Sequence, residues 1–225
     1  MLALESVSKT FSSGRQRTIV ARDLSFAFPQ GQAMALLGRN GAGKSSLLQL
    51  LSGTLRPDRG RVLRHGSVSW PVGFQGSFHP DLTGAENTRF VARLYGIDTT
   101  DLADYVSDFA DLGGHFHQPV RVYSAGMKAR LAFAISTGIP FDTYLIDEVT
   151  SVGDGAFRSR SENVLRARLS RSSAIVVSHS MDLLARLCTS GAVLENGRIF
   201  FYAKVARAIE HHEHRMQGRY PPWLV

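Results

Sequence analysis

Eight residues, Gly38-Arg39-Asn40-Gly41-Ala42-Gly43-Lys44-Ser45, constrain this chain more than any other stretch. An apolar run, Ala33-Met34-Ala35-Leu36-Leu37, precedes them and suits a buried parallel strand. Ser46-Leu47-Leu48-Gln49-Leu50-Leu51 follows with helical composition and periodicity. Glycine, four residues, then Gly-Lys-Ser between a strand and a helix is the P-loop pattern in its required context. The glycines let backbone N–H groups turn inward on phosphates, and the helix N-terminus adds partial positive charge. Lys44 is placed to reach the β- and γ-phosphates of a nucleoside triphosphate, and the Ser45 hydroxyl to ligate Mg²⁺. Ser46 completes the predicted nucleotide-binding set.

Composition narrows the partners. At 225 residues the chain can bury a sizeable core. No stretch approaches the 18 or so consecutive apolar residues of a membrane span. Met1-Leu2-Ala3-Leu4-Glu5 lacks a basic lead and a long apolar segment, so no signal peptide is expected. The lone cysteine, Cys188, excludes an internal disulfide and reads as a small buried hydrophobe in a reducing compartment. Twenty-six Lys and Arg against 19 Asp and Glu give a formal charge of +7. Such an excess permits nucleic acid, nucleotide phosphates or an anionic membrane surface. The arginines are dispersed and no aromatic-basic ladder suggests base stacking, which favours membrane proximity over nucleic acid.

Short apolar strands alternate with helical stretches, the pattern of an α/β fold with a largely parallel sheet. Leu2–Val7 and Asp23–Phe28 read as early strands of an antiparallel edge, and Tyr144–Ile146 and Ala174–Val177 as buried parallel strands. Ala192–Glu195 and Arg198–Phe201, joined by Asn196-Gly197, read as a tight hairpin. Residues from about 80 to 138 are mostly helical and read as an inserted lobe within one domain spanning 1–225. Residues 203–225 read as a short C-terminal tail, extended at Tyr220-Pro221-Pro222-Trp223. His211-His212-Glu213-His214 are adjacent rather than at i, i+4 spacing, so they read as a solvated helix end rather than a metal site; His115 and His117 read likewise.

The other chemistry-bearing landmarks follow in order. Phe141–Ile146 is an apolar strand ending in Asp147-Glu148. At the end of such a strand Asp147 can hold Mg²⁺ through water and Glu148 can polarise an attacking water. Paired acids could instead cap a following helix. His179, after the next buried strand, can donate a hydrogen bond to a γ-phosphate. Tyr123-Ser124-Ala125-Gly126-Met127-Lys128 opens a helix with Met127, Leu131 and Ile135 on one face. Its start offers a hydroxyl, a glycine backbone and a helix N-terminus to an anion. The Lys44 cradle already holds the phosphates within one subunit, so this second anion-binding start suggests use across a dimer.

The ordered set resembles the ABC-transporter ATPases over nearly the whole chain. Their signature motif is typically Leu-Ser-Gly-Gly-Gln; here Tyr123, Ala125 and Met127 depart from it, while Ser124 and Gly126 are retained. The resemblance implies a P-loop NTPase domain with a RecA-like core, an antiparallel β edge and an inserted helical subdomain, binding ATP and Mg²⁺. By the same resemblance Phe11 stacks on adenine, an alternative being that it packs into an edge strand. Gln75 looks like the Q-loop glutamine that senses Mg²⁺ and couples to the membrane partner, or else an ordinary polar loop residue. Asp154 looks like the D-loop aspartate. Ser124, Ala125, Gly126 and Met127 then contact the nucleotide of an opposing subunit.

The strings Ser69–Phe74, Phe78-His79-Pro80 and Leu82–Asn87, with the Tyr-Ser-x-Gly-Met signature, are most similar to the short ATPase subunits of capsule polysaccharide exporters. That resemblance implies a homodimer, peripheral at the cytoplasmic face of the inner membrane, coupled to an integral membrane channel through the surface around Gln75 to Glu86. Phe78 and His79 would meet the channel there, or Phe74 and Phe78 would fill a junction between lobes. No direct nucleic acid contact is expected, and the glycan need not touch this subunit. The alternative is a soluble ABC-type ATPase acting on nucleic acid or ribosomes. Such proteins typically carry two cassettes or a long coiled coil, whereas one P-loop and no heptad run occur here.

Overall fold

A computed structural model of the chain describes residues 1–13, 16–73, 76, 78–148 and 155–224. β1 (Leu2–Ser13) and β2 (Gln16–Ala27) form a long antiparallel pair. β3 (Ala33–Leu37) is buried at every position and feeds the glycine loop, which α1 (Lys44–Ser52) leaves. β4 (Arg59–Arg64) returns to the other edge of β1, giving a three-stranded antiparallel sheet in the order β2-β1-β4. β5 (Val68–Val72) precedes the helices α2 (Gly84–Tyr95), α3 (Thr99–Ala110) and α4 (Ala125–Gly138). Then come β6 (Thr143–Asp147), α5 (Gly155–Leu169), β7 (Ser173–Val177), α6 (Met181–Leu187), the hairpin β8 (Ser190–Glu195) and β9 (Arg198–Tyr202), and α7 (Val205–Met216). The second sheet runs β5-β6-β7-β3-β8-β9. Its β6–β7, β7–β3 and β3–β8 pairs are parallel, and only the β8–β9 hairpin is antiparallel among the described pairings.

Two compact units divide the chain. One comprises Met1–Pro71, Phe141–Glu148 and Leu169–Val225; the other comprises Val72–Pro140 and Val149–Arg168. The first holds both sheets around a core of β1, β2, β3 and α1 side chains. Leu47, Leu48, Leu50 and Leu51 of α1 are all fully buried. At about 1.5–3 kcal/mol for each such side chain, their burial, rather than intrinsic helix propensity, holds α1 under the glycine loop. Arg64 completes the far end of α1, donating from Nε to the Leu51 carbonyl (2.7 Å) and from Nη2 to the Leu50 carbonyl (2.6 Å). Those carbonyls have no partner within the helix.

The second unit is helical and larger than the stretch 80–138 read from sequence. Its aromatic core explains the difference: Phe109 of α3 stacks with Phe133 of α4 (5.6 Å), and Phe157 of α5 meets Phe109 edge-on at 5.5 Å. Shared aromatic burial therefore adds α5 to the helices upstream. Thr83 and Glu86 form a capping box at the start of α2, and Ser124 caps α4 by accepting the Met127 N–H.

Several sequence expectations need correction. β1 and β2 are twelve residues each, longer than Leu2–Val7 and Asp23–Phe28, because register shifts near Val7 and Lys9 carry the ladder through polar positions. β4 and β5 carry no clear alternation, with Arg59, Gly60 and Arg61 exposed, and form because a neighbouring strand supplies their hydrogen bonds. Within the C-terminal tail 203–225, the stretch Tyr220–Trp223 is not extended throughout, and α7 precedes it. α7 packs on β8, where any side chain at Gly191 would lie 2.5 Å from the Ala208 Cβ. Pro222–Leu224 form a 3-10 turn, from which Trp223 donates its indole N–H to Glu210 (2.9 Å). His211 is not solvated but fully buried. Cys188 is buried, as expected, and burial pushes its thiol up to about 12.

Candidate functional site: a phosphate cradle at the strand ends

β6, β7 and β3 lie side by side and parallel, so their C-terminal ends open on one edge of the sheet. β3 ends at the glycine loop, β6 ends at Asp147-Glu148, and His179 lies two residues beyond β7. Ligand sites in open α/β sheets form at these carboxyl ends. Three segments more than thirty residues apart in sequence thus converge through strand order alone.

Gly38 leaves β3 at φ +154, with any Cβ only 2.6 Å from the Leu194 carbonyl, so the turn into the loop accepts no side chain. Lys44 folds its ammonium back over the loop and donates to the carbonyls of Gly38 (2.8 Å) and Arg39 (3.2 Å). Burial pulls the Lys44 pKa down, while Glu148 and Asp147 oppose that shift. The ammonium is thus half-desolvated and held beside two carboxylates, and triphosphate oxygens would compete for it as stronger acceptors.

The Ser45 hydroxyl hydrogen-bonds to the Asp147 carboxylate. Burial raises the Asp147 pKa first; Ser45 and Lys44 resist, and the adjacent Glu148 adds to the rise. A hydroxyl and a carboxylate already within bonding distance are two hard oxygens that fit one Mg²⁺, a cation that prefers few protein ligands and retains water. Glu148 stands in left-handed backbone (φ +54), with its N–H bonded to the Val177 carbonyl at 3.0 Å. This turns its side chain out of the strand direction. His179 Nε2 lies 2.9 Å from Glu148 Oε1, and both side chains are about half exposed or more, at 66% and 49%.

A cleft of about 540 Å³ is lined by Phe11, Thr18, Val20, Asn40, Gly41, Gly43–Ser46, Glu148 and His179. Phe11 is 41% exposed on β1, and the Lys9 ammonium sits 5.3 Å from its ring centroid. An exposed ring beside a phosphate cradle can stack on a planar base. Thr18 and Val20 were not foreseen. Thr18 faces Phe11 across the β1–β2 ladder, and recognising that β1 and β2 pair antiparallel would have located it.

Ser124, Ala125 and Gly126 are exposed at the start of α4, and Met127 is half-buried with Leu131 and Ile135 beneath it. Ser124 Oγ accepts the Met127 N–H (3.2 Å), which leaves its hydroxyl proton free to be donated outward. Phe74, Gln75 and Asp154 lie outside the described residues. Phe78 is half-buried and His79 exposed; the His79 N–H donates to Asn87 (2.9 Å) at the start of α2.

P-loop, carboxylate pair, strand-end histidine and a separate exposed helix start together define an ATP-binding cassette. Residues 21–151 match the model of the ABC transporter family, and the chain belongs to that family. It is 39% identical to the polysialic acid transport ATP-binding protein KpsT of Escherichia coli, covering 95% of this chain and 96% of that one. It is 40% identical to the capsule polysaccharide export ATP-binding protein CtrD of Neisseria meningitidis, covering 94% and 98%. Among solved structures, it matches a dimeric post-hydrolysis ATP-binding cassette bound to ADP and phosphate. The TM-score is 0.78 at 20% identity, covering 91% of this chain and 99% of that one, a likeness of fold. Among the described residues no helix is long and apolar enough to cross a membrane.

Proposed function

We propose that this chain is the ATP-hydrolysing subunit that powers export of a capsular or other cell-surface polysaccharide through a separate membrane subunit. The single observation that carries the catalytic reading is the convergence of Lys44, Ser45, Asp147, Glu148 and His179 on one cleft. The two near-full-length capsule and polysialic acid relatives support the cargo class. A role on nucleic acid or ribosomes is not favoured.

In this reading the glycine loop from Gly38 to Gly43 cradles the phosphates and Lys44 binds the β- and γ-oxygens, with Phe11 stacked on adenine. Ser45 and Asp147, the latter through water, would hold Mg²⁺, which would supply charge neutralisation at the phosphates. Glu148 accepts a proton from water as that water attacks the γ-phosphorus and the bond to ADP breaks. His179 Nε2 holds Glu148 oriented through their 2.9 Å contact, and would turn its N–H toward the γ-phosphate once nucleotide is bound. Gln75 and Asp154 take the Q-loop and D-loop roles. The working unit is a head-to-tail homodimer in which Ser124 and Gly126 of each subunit close on the other's nucleotide. It sits peripherally at the cytoplasmic face of the inner membrane.

The test is restoration of surface polysaccharide in cells lacking their own export ATPase, with the chain supplied alongside its membrane partner. Wild type restores the polymer; Lys44→Ala and Ser124→Arg do not. Co-expressing the two defective forms restores partial export, because heterodimers keep one intact composite site. Failure of the mixture, or export by Lys44→Ala alone, overturns the proposal. Phe78→Ala leaves ATP binding intact and weakens export and co-purification with the channel; unchanged export places the coupling surface elsewhere.

A further inference from the structure

The glycine loop also faces a second cavity of about 280 Å³, which adjoins the nucleotide cleft and shares Asn40 and Gly41 with it. Gly38–Ala42 line one side, Val193–Asn196 another, and His212 and Arg215 of α7 complete it. β3 and β8 run in parallel, with Leu37 beside Val193. That register brings the Leu194 carbonyl against Gly38 and leaves Glu195 behind the cradle. A carboxylate there is unexpected, because the front of the same loop must attract a polyanion.

Glu195 is largely shielded from water, with its side chain only 14% exposed. Its Oε1 accepts two N–H groups from Arg215, Nε at 2.7 Å and Nη2 closer still. Its Oε2 has no hydrogen-bond partner among the described residues and looks across 3.9 Å to His211 Nε2, likewise buried and unbonded among them. His211 is fixed from the other side, where its Nδ1 meets the Tyr202 hydroxyl at 2.9 Å. The Arg215 guanidinium also lies 3.9 Å from the Tyr220 ring centroid, so an aromatic wall backs it. Burial lowers the pKa of both His211 and His212, and the Lys44 charge adds to that effect at His212. Arg215 is the cation bonded directly to Glu195, with Arg22 and Arg198 lining a neighbouring cavity beside it.

We propose that Arg215 is a positioning residue of the nucleotide site: α7 delivers it behind the glycine loop to cancel the charge of Glu195, so that the cradle stays electropositive toward phosphate. This rests on the ATP-site reading above and adds to it a role for the C-terminal helix. A buried carboxylate left bare would act on the triphosphate through protein rather than water, where charge is weakly screened. It would weaken nucleotide binding without touching the nucleotide. The chain end from α7 to Trp223 serves to hold this cation, through Arg215 on Tyr220 and Trp223 on Tyr202 and Glu210.

The experiment measures equilibrium binding of Mg²⁺ with a non-hydrolysable ATP analogue, and steady-state ATPase, on the full chain. Arg215→Met weakens analogue binding about three- to tenfold and raises KM correspondingly, as expected for one unscreened charge near the site, while kcat changes less than twofold. Arg215→Met combined with Glu195→Gln recovers most of the lost affinity. Arg215→Lys keeps the charge but loses the paired donor geometry, and it retains affinity within about twofold. If Arg215→Met binds as wild type, or the double variant binds as weakly as Arg215→Met, the proposal fails. A loss of more than threefold in Arg215→Lys also overturns it, since a purely structural staple depends on geometry; this arm decides the matter if Arg215→Met does not fold. Lys44→Ala separates the two readings: loss of binding there with none at Arg215→Met removes only the present inference.

Discussion

Gly38→Ala probes the junction on which the whole site depends. The added Cβ would lie 2.6 Å from the Leu194 carbonyl oxygen and 3.3 Å from the Ala42 Cβ. Leu194 cannot retreat, because β8 is paired with β3 on one side and β9 on the other, with Leu194 opposite Ile199. Overpacking against fixed backbone costs about 1–3 kcal/mol. Holding an L-residue at φ +154 adds about 1–3 kcal/mol. A loss of about 2–6 kcal/mol lowers the Tm of a chain this size by roughly 5–20 °C. Gly31→Ala is the matched control: its φ is +65, but none of the described residues lies within 4 Å of an added Cβ. It carries only the left-handed cost, about 1–2 kcal/mol. Calorimetry of both variants, with and without Mg·ATP, reads the difference. Gly38→Ala should also lose the stabilisation that ATP gives to wild type, since the loop must shift to relieve the clash. The reasoning is refuted if Gly38→Ala melts no lower than Gly31→Ala and is still stabilised by ATP.

Three further outcomes follow from the site and from α7. Glu148→Gln should retain ATP binding, lose turnover by about 10²–10⁴-fold and accumulate an ATP-bound dimer in analytical ultracentrifugation; normal steady-state hydrolysis would remove Glu148 from its role. Asp147→Asn should raise the Tm of the nucleotide-free chain near pH 7 while abolishing Mg²⁺-dependent hydrolysis. Burial raises the Asp147 pKa above its unfolded value, so the ionised form costs stability above that range, and the Tm difference should shrink as acid protonates the native carboxylate. Acidification should loosen α7. Burial lowers the His211 pKa, a shift Glu195 opposes and Arg215 and His214 reinforce, so the native state binds fewer protons than the unfolded one. The stability His211 contributes is present above about pH 6.5 and is lost as pH falls below that value. His211→Asn should flatten this acid limb in thermal unfolding, and an unchanged limb would assign it to other groups.

The nucleotide cradle was legible because its information is local. The residues from Ala33 to Leu51 contain the strand, the glycines, the lysine and the helix, and neighbouring bonds hold them in order. The strand-ending acids and His179 could likewise be placed at strand termini from apolar runs alone. Their convergence required strand order, and the β6-β7-β3 arrangement exists only once the sheet forms. Thr18 and Val20 entered the cleft through the register of the β1–β2 hairpin, a pairing that short polar stretches do not announce. β4 and β5 were invisible for the same reason, since a strand's hydrogen bonds belong to its neighbours. The C-terminal helix shows the limit most clearly. His211-His212-Glu213-His214 looks solvated because polarity is a property of residues, whereas burial is a property of partners. Tyr202 bonds His211 at Nδ1, and the β8–β9 hairpin and α7 set the paired charges of Glu195 and Arg215 beside the ring, so partners absent from the local string decide its burial.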